Sequence, residues 1–269
     1  MIGYRYKRQG CPFGLRLHPW NLIRSIPAEG GASIQASRPV CRPPHSGWRH
    51  SRFFGVLMQE SPLVITYVTD PDLDEAGQRR VVREVVACAQ VARLRIAFRL
   101  PDSTDEEVRV LIDWYSGLAN ADQLLPPLTH NRPAVTEAIP GGEAWLPSRC
   151  LRDEQAHADA FSVHSQDEAR IAIARGASEL IYGHVFASDS HPGESPRGMA
   201  TLAAIAANMP NVTAIGGINE QTIGALGAIG IRRIAVIRAI SRSPDIPSTL
   251  RRMEESWHAA YNEGRYEHG

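Results

Sequence analysis

The stretch LIYGHVFASDSHPGESPRGMATLAAIAANMPNVTAIGG, residues 180–217, decides the fold. It opens on an apolar run typical of a buried strand, continues through a polar loop rich in Gly and Pro, and predicts a helix near 198–208. A second apolar run, Val212–Ile215, follows the helix and ends in two glycines. A strand, a helix and a second strand in this order are the repeating unit of a parallel sheet.

The same alternation continues on both sides of this stretch, from Leu63 to about residue 262. It predicts an α/β fold with eight strand–helix units, which favours a (β/α)8 TIM barrel. An open doubly wound sheet usually has fewer strands, and no G-x-G-x-x-G fingerprint follows the first strand. The predicted strands are Leu63–Val68, Leu94–Phe98, one near Leu124–Leu128, Ala144–Leu146, Ala160–Val163, Leu180–Val185, Val212–Ile215 and Ile234–Ile237.

Two patterns of Ser or Thr followed three residues later by Glu predict where helices begin. Thr104 with Glu107, and Ser165 with Glu168, match the capping box. Helices are therefore expected from Thr104 to about 118 and from Ser165 onwards.

The charge balance excludes several functional classes. The chain has 29 Lys+Arg and 29 Asp+Glu, so neither a uniformly basic nucleic-acid binder nor an acidic disordered chain is expected. Lys7 is the only lysine, which excludes a lysine Schiff base and a P-loop lysine from the rest of the chain. No apolar run approaches the length of about 18 residues that a membrane helix needs, so no membrane partner is expected.

The first 57 residues differ from the rest. They hold nine basic residues, one acid and six prolines, and they lack sustained periodicity. We predict a poorly ordered basic extension over 1–57, either a targeting arm or a mis-assigned start with Met58 as the true first residue, and a catalytic barrel over 58–269. The four cysteines form no C-x-x-C pair, which indicates reduced thiols of a cytoplasmic protein.

Barrel chemistry lies just past the carboxyl ends of the strands, so residues there are the candidate site. Gly216 and Gly217 follow the seventh strand, where bare amides suit a phosphate, although a turn can also require glycine. His184 lies in the sixth predicted strand and suits proton transfer, although a buried histidine is often structural. Arg99 ends the second strand and suits an anion or a salt bridge to Asp102.

The polar loop Ala187–Gly198 is predicted to be a lid over the site or else a solvated loop. Its hydroxyls Ser188 and Ser190 can bond a substrate, and Arg197 can hold an anion. The histidines lack ligand spacing, so neither a metal nor another cofactor is expected.

Several motifs together resemble the thiamine phosphate synthase/TenI superfamily over about residues 60–260. Ile65–Asp70 resembles the family's first strand, and Ser162-Val163-His164-Ser165 resembles its G-x-S-x-H-S motif, with Ala160 in place of the leading glycine. Residues 177–186, 214–218 and 234–240 resemble the family's strands 6, 7 and 8.

The synthase branch of that superfamily couples a pyrimidine pyrophosphate to a thiazole phosphate and needs magnesium, and this chain departs from its signature. Arg99 is kept, but Ala97 and Pro101 replace the Gln and Lys of Q-x-R-x-K, and His130-Asn131-Arg132 stands where N-D-R would stand. The loop Leu146-Pro147-Ser148-Arg149-Cys150 lacks the acid, and His191 replaces the lid lysine. A pyrophosphate leaving group would develop charge with little to stabilise it.

The resemblance is closer to the TenI-type thiazole tautomerase branch, which shows Leu-Pro-Ser after strand 4 and Gly-His-Val-Phe on strand 6. It implies aromatisation of a carboxythiazole phosphate tautomer, with a thiazole phosphate as the small-molecule partner. A thiamine phosphate synthase-like transferase, a non-catalytic thiazole-phosphate-binding regulatory protein and a homo-oligomeric assembly stay open. The implied site residues are His184 as proton carrier and, for substrate binding, Arg99, Ser162, Ser188, Ser190, Gly216, Gly217, Ile237 and Arg238.

Overall fold

The computed structural model describes residues 63–188, 193–209 and 211–266. The predicted basic extension 1–57 and the alternative start at Met58 lie outside the described residues and stay predictions, as does the domain boundary between them.

Eight parallel strands close into a barrel in sequential order, which confirms the predicted (β/α)8 fold. The closing contact is parallel like the others, because Val64 of the first strand pairs with Arg93 of the second and with Arg233 of the eighth. The strands are β1 (Val64–Val68), β2 (Arg93–Phe98), β3 (Leu128–His130), β4 (Glu143–Leu146), β5 (Ala160–Val163), β6 (Glu179–Gly183), β7 (Val212–Ile215) and β8 (Arg233–Val236).

Helices connect the strands and cover the outside of the barrel. They are α1 (Glu75–Ala87), α2 (Asp105–Ser116), α3 (Pro133–Ala138), α4 (Gln166–Ala174), α5 (Met199–Ala206), α6 (Ile223–Ala228), α7 (Arg238–Ser241) and α8 (Ile246–Tyr266). Short 3-10 helices lie at Ala121–Gln123 and Ser148–Arg152.

The barrel interior is filled in layers of inward-facing side chains. A charged layer closes the amino-terminal end, where Arg95 and Arg233 contact the Glu179 carboxylate at 2.6 and 2.9 Å and Arg95 also contacts Glu143. Burial raises the pKa of Glu179, but the two arginines and Thr213 outweigh it and hold the pKa below its usual range. An apolar layer follows, made of Val68, Ala97, Leu128, Trp145, Ala160, Ile181 and Ala235. These two layers fill the amino-terminal part of the barrel, and the cavity lies beyond them at the carboxyl ends of the strands.

Two strands differ from the prediction by more than one residue at an end. The third strand begins at Leu128, not near Leu124, because Pro126 and Pro127 have no N–H to donate to a neighbouring strand. The sixth strand ends at Gly183, so His184 lies directly after the strand and not inside it. The prediction that His184 lies within the sixth strand was therefore wrong, although the residue still lines the barrel mouth.

The two predicted helix starts are confirmed with one difference. Thr104 and Glu107 form the reciprocal capping box of α2. Ser165 caps α4 by accepting from the Glu168 amide, but the Glu168 carboxylate accepts from the His164 amide, one residue earlier than in a capping box. This bond ties the end of β5 to the start of the following helix.

Candidate active site

A cavity of about 910 Å³ opens at the carboxyl ends of the strands. Its wall brings together nearly all the side chains that the sequence singled out, from strands far apart in the chain. The predicted residues that line it are Arg99, Ser162, His184, Ser188, Gly216, Gly217, Ile237 and Arg238. Ser190 and the lid position His191 lie outside the described residues. The structure thus supports the placement of these residues, while their roles stay predictions.

His184 is only 4% exposed and lines the cavity from the end of β6. The backbone around it is held on both sides. The His184 carbonyl accepts from the Arg197 amide at 3.0 Å, and the Val185 amide donates to the Ile215 carbonyl at 2.9 Å. These bonds fix the segment after β6 against the lid loop and against β7, so the imidazole is presented from a rigid support.

Gly216 and Gly217 have a packing role that the sequence left open. Both adopt positive φ, +101° and +67°, which L side chains rarely adopt. A Cβ on Gly216 would lie 2.7 Å from the His184 Cα, and one on Gly217 would lie 2.7 Å from the Phe186 Cβ. Glycine is therefore required for β7 to pack against the segment that carries His184. The same two residues also border the cavity.

The β8 side of the cavity contains a helix start and an acidic side chain that holds two arginines. Arg238 opens α7, and its guanidinium donates to Asp72 at 3.1 Å, as does that of Arg242. These contacts, led by the hydrogen bond from Arg238, hold the pKa of Asp72 below its usual range. Nearby, the buried Asp70 carboxylate accepts from the Ser241 hydroxyl at 2.5 Å. The Arg238 guanidinium thus pairs with a protein acid while the residue also lines the cavity.

Two serines present hydroxyls to the cavity. The Ser162 Oγ accepts from the Trp145 Nε1–H at 2.9 Å, which leaves its own proton for a ligand. The Ser188 Oγ is buried and has no hydrogen-bond partner among the described residues. A buried hydroxyl without a partner is costly, so a polar substrate group at this position would be favoured.

His164 lines the cavity next to the strand that leads to His184. Its Nδ1 lies 2.7 Å from the Gly183 carbonyl oxygen. Because a carbonyl can only accept, Nδ1 carries the proton, and in a neutral ring Nε2 is then an acceptor. The sequence placed His164 at the end of β5 but assigned it no function beyond the family motif.

His130 is a second feature that sequence reasoning missed. Its ring packs edge-on against Trp145 with ring centroids 4.5 Å apart. Burial, and then the charges of Arg99, Arg149 and Arg132, lower the pKa of His130 from 6.5 to about 4. The imidazole is therefore neutral at physiological pH. The signal in the sequence was Arg149, which lies in the loop after β4 at a place where the synthases that the chain resembles carry an acid.

Two features are absent from residues 63–188, 193–209 and 211–266. No three His, Cys, Asp or Glu side chains there are placed to share a metal ion. No helix of these segments has the length and apolar character required to cross a membrane.

The match to a family model lies on the half of the barrel that carries His184. Residues 157–240 match TMP-TENI, Thiamine monophosphate synthase. The matched residues are less than half of the chain, so the match shows a similarity to that family over this part of the barrel. The matched range is shorter than the range of about 60–260 over which the motifs resemble the family, but it includes β5 to β8.

Curated relatives carry the synthase name. A thiamine-phosphate synthase of Anaeromyxobacter dehalogenans is 39% identical over 105 residues, which is 38% of this chain and 46% of the relative. One of Bordetella avium is 36% identical over 87 residues, or 30% of this chain and 40% of the relative. The chain thus spans less than half the length of these relatives. Their names do not support the tautomerase branch.

Solved structures agree on the fold. Thiamine phosphate pyrophosphorylase from Pyrococcus furiosus is 22% identical with a TM-score of 0.56, covering 75% of this chain and 98% of that chain. The 3-hexulose-6-phosphate synthase from Salmonella typhimurium is 14% identical with a TM-score of 0.51, covering 72% and 99%. At these identities the similarity shows the barrel fold alone.

Proposed function

We propose that the chain is a TenI-type thiazole tautomerase, which aromatises a carboxythiazole phosphate tautomer. The observation that carries this proposal is the buried imidazole of His184 on the wall of the cavity, beside a glycine turn that suits a phosphate. Isomerisation moves a proton between two positions of one molecule, so a single residue that both accepts and donates a proton is sufficient.

In this mechanism the substrate phosphate lies against the amides of Gly216, Gly217 and the Ile237–Arg238 segment. The first amides of a helix have no partner within the helix, and α7 begins at Arg238. With the phosphate held there, His184 removes a proton from one ring position, and the resulting imidazolium returns a proton to the other. The Ser188 hydroxyl orients the ring during this transfer.

The second candidate is thiamine phosphate synthase-like transfer, which the names of the curated relatives favour. That reaction needs magnesium, so the acids that could hold the ion decide whether the site suits it. Asn131 stands where the synthase motif has an acid, and Arg149 stands in the loop after β4 where another acid is expected. Arginine repels a cation, so these residues do not fit a magnesium pyrophosphate.

Two assays of the purified full-length chain separate the candidates. In the first, the thiazole tautomer is converted to its aromatic form, followed by absorbance or NMR. In the second, pyrimidine pyrophosphate and thiazole phosphate are supplied with magnesium, and thiamine phosphate is measured. We expect conversion above the spontaneous rate in the first assay only. Product in the second assay alone would replace the proposal by the synthase function.

A further inference from the structure

The peptide group that leads into His184 is held by a side chain from the neighbouring strand. β5 and β6 pair in register as far as Val163 and Tyr182, and the next residues along the two segments are His164 and Gly183. Beyond the last pair, the side chain of His164 takes over from the strand backbone, because its Nδ1 lies 2.7 Å from the Gly183 carbonyl oxygen. Contact between the two segments therefore continues past the end of β5.

This hydrogen bond acts directly on the backbone of His184. The peptide group that joins Gly183 to His184 is planar, so the position of its carbonyl oxygen also sets the direction of the bond from the His184 nitrogen to its Cα. On the opposite side Gly183 packs closely against β7, since a Cβ there would lie 2.5 Å from the Ile215 Cγ2. After His184, the Val185 amide donates to the Ile215 carbonyl at 2.9 Å. The bond from His164 thus adds a constraint from the β5 side.

His164 is itself anchored to the first turn of α4. Its backbone amide donates to the Glu168 carboxylate at 2.6 Å, and the Glu168 amide donates to the Oγ of the cap residue Ser165 at 3.2 Å. The ring Nδ1 carries a proton in the neutral tautomer that bonds the Gly183 carbonyl, and it keeps that proton when the ring is charged. The contact with Gly183 therefore does not depend on the protonation state of His164.

We propose that His164 is a positioning residue for His184, which acts by holding the Gly183 carbonyl through its Nδ1–H. The proposal rests on the proposed function, in which His184 moves the proton. Proton transfer requires the imidazole at a defined distance from the reacting atom, and a displacement of about 1 Å can slow a reaction roughly 100-fold. In this role His164 exchanges no proton with the substrate, although it also lines the cavity.

Three substitutions of His164 separate positioning from direct proton transfer. His164→Asn keeps an N–H donor at the same number of bonds from Cβ as Nδ1, but an amide takes up no proton near neutral pH. His164→Leu removes the donor and keeps apolar bulk. His164→Gln carries an amide one bond farther out, where it no longer matches Nδ1, and it supplies the comparison if the leucine variant does not fold.

The first readout is turnover of the thiazole tautomer by the full-length chain. We expect kcat to fall roughly 10- to 100-fold in His164→Leu and His164→Gln and to stay within a few-fold of the wild type in His164→Asn. The affinity for the aromatic phosphate product, measured by calorimetry, should be unchanged in all three. His157→Leu is the matched control, because it replaces a histidine before β5 that does not line the cavity.

The second readout does not need turnover. The ring resonances of His184, followed by NMR in the full-length chain without ligand, should shift in His164→Leu and His164→Gln. They should stay at their wild-type positions in His164→Asn and in the control. This pattern reports the placement of the imidazole whatever reaction the chain performs.

The outcomes distinguish this role from the proposed function. Wild-type kcat in both His164→Leu and His164→Gln overturns the positioning role, and so does an equal loss of kcat in His164→Asn, which would make His164 a proton carrier itself. If the chain lacks tautomerase turnover but the His184 resonances follow the expected pattern, the positioning role is supported and only the proposed function fails. Turnover with His184 resonances that ignore all three substitutions does the reverse.

Discussion

The low pKa of His130 predicts a measurable loss of stability in mild acid. In the unfolded chain the imidazole takes up a proton near pH 6.5, while in the folded protein it does so only near pH 4. Between these values the unfolded state binds more protons, so the free energy of unfolding falls as the pH falls. The difference between the two pKa values corresponds to about 3 kcal/mol in the free energy of unfolding. The folded protein has this stability in full above pH 6.5 and has lost it below about pH 4.

The assay compares the wild type with His130→Asn by urea unfolding at several pH values from 7 to 4. Carboxylates that titrate in this range contribute equally to both proteins, so the difference isolates His130. We expect the variant to gain about 3 kcal/mol relative to the wild type over this range. Parallel curves would refute the argument, as would an NMR titration that places the His130 pKa near 6.5.

Two further predictions concern the packing that supports the site. Gly216→Ala should lower the free energy of unfolding by at least about 3 kcal/mol, because the cost of the positive φ adds to that of the overlap with the His184 backbone. Gly230 also has a positive φ, but no described atom lies within 4 Å of a new Cβ there. Gly230→Ala should therefore cost only about 1–2 kcal/mol. Glu179→Gln should cost about 3–5 kcal/mol by leaving buried guanidinium groups without a counter-charge. The control is Glu75, an exposed acid that forms an ion pair with Arg79. Glu75→Gln should change the free energy of unfolding by less than about 1 kcal/mol. Thermal and urea unfolding measure the stability of all four variants. Equal losses in the two glycine variants would contradict the packing argument, and equal losses in the two glutamate variants would contradict the charge argument.

Local patterns predicted the barrel well, since alternation and capping depend on neighbours in the chain. Ala160–Val163 and Val212–Ile215 agree with the structure at both ends. The third strand was predicted near Leu124–Leu128 but begins at Leu128, because Pro126 and Pro127 have no N–H to donate to a neighbouring strand. The candidate residues at strand ends did line one cavity, because parallel strands in a barrel all end at the same mouth.

The environment of His130 could not be predicted in the same way. Arg99, His130 and Arg149 lie at or just after the ends of three neighbouring strands, so the barrel places them at one mouth. The burial that lowers the pKa of His130 depends on packing that their spacing does not contain. Likewise, the pattern Gly216-Gly217 is compatible with both a phosphate turn and close packing. Only the approach of His184 and Phe186 to these glycines shows that the packing role is present. Such facts depend on contacts between distant segments, which a single sequence does not contain.

The turnover of His184→Gln with the thiazole tautomer measures most directly whether His184 carries the proton. Glutamine keeps a hydrogen-bonding side chain of similar length but cannot exchange a proton near neutral pH. We expect kcat to fall by roughly 100-fold or more, with the affinity for the phosphate product and the unfolding transition retained. Turnover within a few-fold of the wild type would contradict the account.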